Sequence, residues 1–554
     1  MARRAADVLV SGLEARGIER VYCVPGESYL TLLDALHDSN RIQTIACRHE
    51  SGAGFMAVAE AKLTGKPAVF AVSRGPGATN GSIAVHVAEQ DATPVVVLIG
   101  QVSREERGRD AFQEVDYGQF FGGMAKWVSE VNDGWKLPET LARAFHIAQS
   151  GTPGPVVIVL PEDMLSDQVE GAAIGPLPVH VPAPEASQVK QAAEALAQAE
   201  RPLIIAGGQL QRPGGREALA RAAEAFRTPV ALAWKNQDLF DNSSPLYAGH
   251  LGFKTPKPHI DLLAEADVIL AAGTRLGDVM TQGFTFPRAP EPTQTLIHVY
   301  PDATRIGRVF RTDIGVGADA VAFLDRLAGE AGAAPGGRSA WIDKIGTFIS
   351  GFSAWAPRQV PDGIDFGEVV ETIAGQARDD AIVITDAGNF SSWVHRHWKL
   401  KPDAKMLAAV GGAMGFAIPA GVTSAMLHPE RQTIIVVGDG GTLMTGNELA
   451  TAIMLGAAPK VFVSNNGTYG TIRLHQERDY PERVVGTDLA NPSFAKWAEA
   501  FGADAFTVKA GDDVAAIVGE ALASPKAAVV EVHSSAEALS AFATITQLRA
   551  AAKG

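Results

Sequence analysis

Residues 433–470 read TIIVVGDGGTLMTGNELATAIMLGAAPKVFVSNNGTYG. The apolar run Ile434 to Val437 has the length and β-branched content of a buried strand, and it ends at Gly438-Asp439-Gly440. A helical pattern from about Thr445 to Leu455 follows. A second apolar run, Lys460 to Ser464, then breaks at Asn465-Asn466-Gly467. Strand, turn, helix and strand make the repeating unit of a parallel sheet. Ligands of such sheets sit beyond the carboxyl ends of the strands, and Asp439 and Asn466 each lie just past such an end. One carboxylate, one amide oxygen and a backbone carbonyl such as that of Thr468 form a hard oxygen set suited to Mg²⁺ or Ca²⁺ holding a phosphate. The glycines let backbone approach a bulky anion, and a helix start offers free N–H groups. Either tripeptide alone reads as an ordinary turn. The pair, each member at a strand end, points to a phosphate–metal site.

The same alternation extends in both directions. Strand Ala527 to Val532 closes the unit, and the alanine-rich tail 536–554 reads as a surface helix or lid. Strand Ala381 to Thr385 and helix Gly415 to Met426 precede the quoted stretch, so this unit spans about 360–535. Ala331 to Arg338, bearing Gly and Pro, reads as a linker. Before it, residues 186–330 carry four apolar runs: Leu203 to Ala206, Val230 to Trp234, Val268 to Ala272 and Thr295 to Val299. Asp167 to Pro184 reads as another linker. Residues 1–165 alternate again, with a helix from Gly52 to Thr64, a loop from Arg74 to Asn80 and a long loop from Gln101 to Phe121. The fold class is therefore α/β, with three doubly wound parallel-sheet domains. No short-period repeat argues for a solenoid.

Composition sets limits. The chain has 554 residues, 46% hydrophobic and 20% charged, as an ordinary globular protein does. A formal net charge of −14 argues against a nucleic-acid partner. The two cysteines, Cys23 and Cys47, form no metal or redox spacing and suit a reducing compartment. The N-terminal stretch reads as an amphipathic helix rather than a signal peptide, and no run approaches a membrane span. A cytoplasmic protein with no membrane partner is the expectation.

Several further strings complete the pattern: Val24-Pro-Gly-Glu27, Cys47-Arg-His-Glu50, Ser73-Arg-Gly-Pro-Gly-Ala-Thr-Asn80, Gly100-Gln-Val102, Ala111-Phe-Gln-Glu-Val-Asp116 and Gly411-Gly-Ala-Met-Gly415. In this order, with Gly438-Asp-Gly440 and Asn465-Asn466, they resemble the thiamine-diphosphate-dependent decarboxylase and carboligase family, nearest its acetohydroxyacid (acetolactate) synthase branch. The resemblance spans nearly the whole chain, strong at both ends and vague in the middle.

The resemblance implies a pyrimidine-binding domain at 1–165, a central domain at 186–330 and a diphosphate-binding domain at 360–535. It implies thiamine diphosphate held through Mg²⁺, with Asp439, Asn466 and the Thr468 carbonyl as metal ligands. Gly440, Gly441 and Thr442 would contact the diphosphate, and Pro25, Gly26, Glu50, Gly438, Tyr469 and Gly470 belong to the cofactor-binding set. Met414 would wedge beneath the bent cofactor. Glu50 is the expected catalytic residue, hydrogen-bonding a pyrimidine nitrogen so that the thiazolium proton can leave. Gln113 is the second catalytic candidate, and Phe112, Gln113, Lys126, Ile472 and His475 the substrate-facing set.

The implied activity is decarboxylation of a small 2-oxo acid such as pyruvate and transfer of its acyl-anion fragment to a carbonyl acceptor. The alternative is a non-ligating 2-oxo acid or acyl-CoA decarboxylase. Two features keep that alternative open: His475 stands where the synthase branch has tryptophan, and Asn466 to Gly470 resembles benzoylformate decarboxylase. Arg275 to Thr281 matches the branch's flavin-contact string only loosely, and no G-x-G-x-x-G follows a strand there, so bound FAD is not expected. The resemblance also implies a homodimer or homotetramer with active sites shared between subunits.

Overall fold

Near-continuous Val, Ile, Leu and Ala runs suit strands covered on both faces, and they form parallel sheets here as that burial requires. The computed structural model describes residues 2–171, 173–253, 255–332 and 337–553. Three six-stranded sheets organise the chain, all parallel, as the alternation predicts. In the first, the spatial order is Gln43–Ala46, Arg20–Cys23, Ala68–Val72, Val95–Gln101, Pro155–Pro161, Trp127–Glu130. In the third it is Lys405–Leu407, Ile382–Thr385, Thr433–Gly438, Lys460–Asn465, Ala528–His533, Asp504–Val508. Counted along each unit, both orders are 2-1-3-4-6-5. The middle sheet is wired differently, as 3-2-1-4-5-6: Tyr247–Leu251, Val230–Ala233, Pro202–Ala206, Val268–Ala272, Thr295–Val299, Ile314–Val316.

The structure corrects several expected elements. The segment read as a loop from Arg74 to Asn80 is helical from Pro76, because a proline at the first helical position loses no hydrogen bond. Likewise Asp439 begins a helix, Asp439–Thr445, and a second helix, Leu449–Leu455, follows a 3₁₀ turn. The supposed linker from Asp167 contains a short strand, Gln168–Val169, paired antiparallel with Arg3–Arg4. The long loop from Gln101 holds a short helix, Tyr117–Phe121. Of the linker expected at 331–338, residues 333–336 lie outside the described residues, and a helix, Arg338–Ser353, follows. Four strands had no clear apolar run: Tyr247–Leu251, Ile314–Val316, Lys405–Leu407 and Asp504–Val508. All four are edge strands, where one side needs no partner and mixed polarity is tolerated.

The packing divides unevenly. One apolar core, from Val189 to Ile349, belongs to the middle unit and the helix Arg338–Ser353 that follows it. Another joins the first and third units, with Phe55, Met56, Val58 and Ala84 on one side and Phe416, Ile418, Ile435 and Leu449 on the other. The Phe55 and Phe416 rings meet edge to face with centroids 5.7 Å apart. The helices Glu50–Thr64 and Ala417–Leu427 therefore pack as one layer between two sheets, fixing both carboxyl edges relative to each other.

Candidate active site

Glu50 is the first residue of its helix, whose start is fixed from both units. His49 accepts from Ser51 N through Nδ1 at 3.2 Å. The fully buried Glu448 reaches across from the third unit, its Oε1 accepting from Arg48 N at 2.9 Å and His49 N at 3.0 Å. Burial raises the Glu448 carboxyl above its ordinary range, against the hydrogen bonds from Thr451, Arg48 and His49. A side chain on Gly52 would place Cβ 2.3 Å from Glu448 Oε1, so only glycine admits that contact. Glu50 is half-buried, and its Oε2 accepts from Asn80 Nδ2 at 3.0 Å.

Pro25 and Gly26 follow the neighbouring strand end, where a Cβ on Gly26 would meet Ser73 Cβ at 2.6 Å. Gly75 N donates to Tyr117 Oη at 2.8 Å, drawing the long loop over the helix start. A Cβ on Gly75 would lie 2.8 Å from Gln113 Cβ, and one on Gly77 3.4 Å from Glu50 Oε1. Gln113 thus stands over the turn that faces Glu50. Its backbone is left-handed, φ +65°, a strain of about 1–3 kcal/mol that clusters at functional positions. Phe112 beside it is 73% exposed. Lys126 is placed otherwise: Nζ donates to Ile147 O at 2.5 Å and Ser150 O at 2.6 Å, at the helix C-terminus before the strand Pro155–Pro161. That is the amino edge of the sheet, so the structure does not bring Lys126 to Glu50 and Gln113. Burial lowers its ammonium to about 8, partly offset by Asp302.

The second cluster forms on the third sheet. Asp439 is 3% exposed, yet no cation pairs with it among the described residues. Oδ1 accepts from Gly440 N at 2.8 Å, and Oδ2 from Gly467 N at 2.8 Å and Asn491 Nδ2 at 2.9 Å. Desolvation raises its carboxyl, the hydrogen bonds opposing. Asn491 Nδ2 also donates to Asn465 Oδ1 at 3.0 Å, and Asn491 Oδ1 is buried without a partner. Asn466 Oδ1 accepts from Thr468 N at 3.1 Å, and Thr468 Oγ1 donates to Thr487 O at 2.9 Å. Thr442 Oγ1 donates back to Gly438 O at 2.9 Å.

A Cβ on Gly440 would fall 2.5 Å from Tyr469 Cε1 and 3.5 Å from Met414 Cε. Gly440, Tyr469 and Met414 therefore converge on a cradle that a larger residue would fill. Asn389 Nδ2 donates to Gly470 O at 3.1 Å, tying down the far rim. Among the described residues, no group of three or more His, Cys, Asp or Glu could hold a metal. A cation here would take one carboxylate plus amide and carbonyl oxygens, a donor set for Mg²⁺ or Ca²⁺. A buried, cation-free carboxylate beside an orphaned amide oxygen fits that occupant.

Ile472 and His475 lie on the next helix, Gly470–Asp479. Ile472 is 52% exposed, and His475 Nδ1 faces Arg478 Nη2 at 3.0 Å. The C-terminal helix Ile545–Lys553 braces this helix. Arg549 Nε and Nη2 donate to buried Glu477 at 2.7 and 2.6 Å, and Arg473 Nε donates at 3.1 Å. Arg549 holds the Glu477 carboxyl down to about 2. The lowered pKa makes this contribution complete above the ordinary glutamate range and removes it as pH falls toward about 2. The tail should stay docked at mildly acidic pH. Arg549→Met removes hydrogen bonds worth about 1.5–3 kcal/mol, so limited proteolysis should cut the tail about tenfold faster or more. Unchanged cleavage would show that apolar packing alone holds it.

Sequence reasoning missed Asn80, Glu448 and Asn491 as site residues. Asn80 stood inside a quoted string, whereas Glu448 and Asn491 carry no local signal.

Comparison with known proteins gives three family matches. Residues 3–120 match the N-terminal TPP binding domain of thiamine pyrophosphate enzymes, 189–327 their central domain, and 386–532 their C-terminal TPP binding domain. The acetolactate synthase large subunit of Parasynechococcus marenigrum is 31% identical over 543 residues, covering 95% of this chain and 87% of that protein. A probable acetolactate synthase large subunit of Methanocaldococcus jannaschii is 31% identical over 546 residues, covering 96% and 91%. The Escherichia coli acetolactate synthase isozyme 1 large subunit is 31% identical over 539 residues, covering 96% and 94%.

Proposed function

Because this chain belongs to the thiamine pyrophosphate enzyme family, we propose that it decarboxylates a small 2-oxo acid, pyruvate foremost, and joins the retained acyl fragment to a carbonyl acceptor. The observation that carries this is the pair of prepared strand ends: Glu50 oriented by Asn80 on one, Asp439 desolvated beside Asn466 on the other. Thiamine diphosphate, when bound, supplies a thiazolium carbon that accepts the acyl fragment's electron pair.

The chain's own residues do the rest. Asn80 occupies Glu50 Oε2 and leaves Oε1 to hold or pass a proton. Asp439, Asn466 and the Thr468 carbonyl would hold a Mg²⁺ ion that would neutralise the diphosphate, and Gly440, Gly441, Thr442, Tyr469 and Gly470 would line its cradle, with Gly440 and Tyr469 in mutual contact distance. Gln113, held over the Gly75 turn, offers its amide to a substrate carboxylate or developing alkoxide. Phe112 and Ile472, both open to solvent on this chain, give apolar walls that exclude water once covered. As the family resemblance implies, the reading includes a homodimer or homotetramer with active sites shared between subunits.

A second reading, decarboxylation with release of an aldehyde, draws support from His475. Arg478 donates toward its Nδ1, so Nε2 is left to carry a proton. The deciding experiment incubates the protein with thiamine diphosphate, Mg²⁺ and pyruvate, with and without an aldehyde or second 2-oxo acid. A carbon–carbon coupled product is expected; aldehyde alone under every condition would assign the second reading.

A cavity of about 570 Å³ opens at the carboxyl ends of the middle sheet, lined by Gly208, Trp234, Thr274, Arg275 and Tyr300 among others. It has the size and polar rim for a nucleotide. The loose match of Arg275 to Thr281 to the branch's flavin-contact string keeps the absence of flavin as our reading; flavin absorbance in the supernatant of heat-denatured protein would overturn it. Two free, buried cysteines support a cytoplasmic setting, and among the described residues no helix is long and apolar enough to cross a membrane.

A further inference from the structure

The segment bearing Met414 runs from the strand Lys405–Leu407 to the helix Ala417–Leu427, and all three units grip it. From the first unit, Lys62 Nζ donates to Ala408 O at 2.7 Å and pairs with Asp91, whose Oδ1 accepts from Gly411 N at 3.0 Å. From the middle unit, Lys235 Nζ donates to Ala409 O at 2.6 Å and lies 4.3 Å from the Trp234 ring centroid. From the third, Asp386 accepts from Gly415 N at 2.7 Å and Phe416 N at 3.2 Å. Three consecutive contacts upstream of Met414 therefore come from charged groups of the other two units.

Lys235 is unusual on two further counts. Its side chain is almost wholly buried, no carboxylate among the described residues is paired with it while Asp91 and Asp386 act on it from farther off, and its backbone is left-handed, φ +62°, just past the strand Val230–Ala233. A β-carbon-bearing residue held in that conformation, with a charge taken out of water, persists only where the surroundings enforce it. Lys62, Asp91 and Lys235 also form part of the wall of the central cavity, next to Val410.

We propose that Lys62, Asp91 and Lys235 are positioning residues for the reaction: they fix Ala408 to Gly411 so that Met414 stands beneath the cofactor's bend, and they carry that control to the wall of the central cavity. The inference rests on the thiamine diphosphate reading and adds to it a means by which the first and middle units together bear on cofactor activation.

The test uses full-length Lys235→Met and Lys62→Met, each close in volume to the original. Amide hydrogen exchange of residues 408–416, read without cofactor, should accelerate about tenfold while 433–438 stays protected. Thiamine diphosphate affinity with Mg²⁺, by calorimetry, should change by less than about threefold. Exchange of the bound cofactor's thiazolium proton should slow about tenfold to a hundredfold, the scale of small misplacements. A merely structural role would not separate affinity from proton exchange. Should Lys235→Met lose protection at 433–438 as well, Lys62→Met decides. Wild-type amide and thiazolium exchange in both variants, with normal cofactor binding, would overturn this inference alone. Failure of the unaltered protein to bind thiamine diphosphate would overturn the cofactor reading and this inference with it.

Discussion

Glu50→Gln is expected to lower turnover by about 10²–10⁴-fold, the range typical of a positioned acid–base group, with cofactor affinity nearly unchanged. The split follows from geometry. Glutamine keeps the oxygen that accepts from Asn80, so the helix start and its Glu448 cap stay intact. What is lost is a second carboxylate oxygen able to hold a proton. Steady-state turnover paired with calorimetric binding of thiamine diphosphate checks both halves. Activity equal to wild type would remove Glu50 from the chemistry, and loss of binding with loss of activity would make it a structural anchor instead.

Asp439→Ala should act in the opposite sense, on binding rather than on the chemical step. The carboxylate orders three donors at once: the Gly440 amide, the Gly467 amide and the Asn491 side chain. Its removal takes away the only anionic oxygen of the proposed metal set and unties the two strand ends. Outer-shell partners of metals alone contribute about 10–100-fold in affinity, so a ligand should contribute at least as much. Titration of thiamine diphosphate with and without Mg²⁺ should show the wild-type difference collapse in the variant. A metal-dependent gain that survives would place the cation elsewhere.

Much of this architecture could be read from residue order. Buried strands announce themselves as apolar runs, and the glycine–aspartate–glycine and paired-asparagine breaks mark where two of them end. That sufficed to bring Asp439, Asn466 and Thr468 to one edge. Glu50 was equally legible, standing between a short strand and a helix. Partners supplied from far along the chain were not. Arg48 and Glu448 are 400 positions apart, and nothing in either neighbourhood announces their hydrogen bond. The isolated Lys235 gave no signal for the same reason, since its partner Ala409 is 174 positions away. Lys126 shows the converse. The family resemblance put it in the substrate-facing set, but its position before a strand puts it at the amino edge, where a helix C-terminus offers carbonyls to a cation.

The distribution of apolar packing gives the molecule a grain. First and third units are fused by a common interior although the middle unit separates them in sequence. A volume change at Phe55 or Phe416 should therefore be felt on both reactive edges together, whereas the middle unit has its own interior, and an exchange of that unit would leave the joined core in place. Its residues that touch the joined pair through single polar bonds, such as Lys235, mark the seams such an exchange would have to respect.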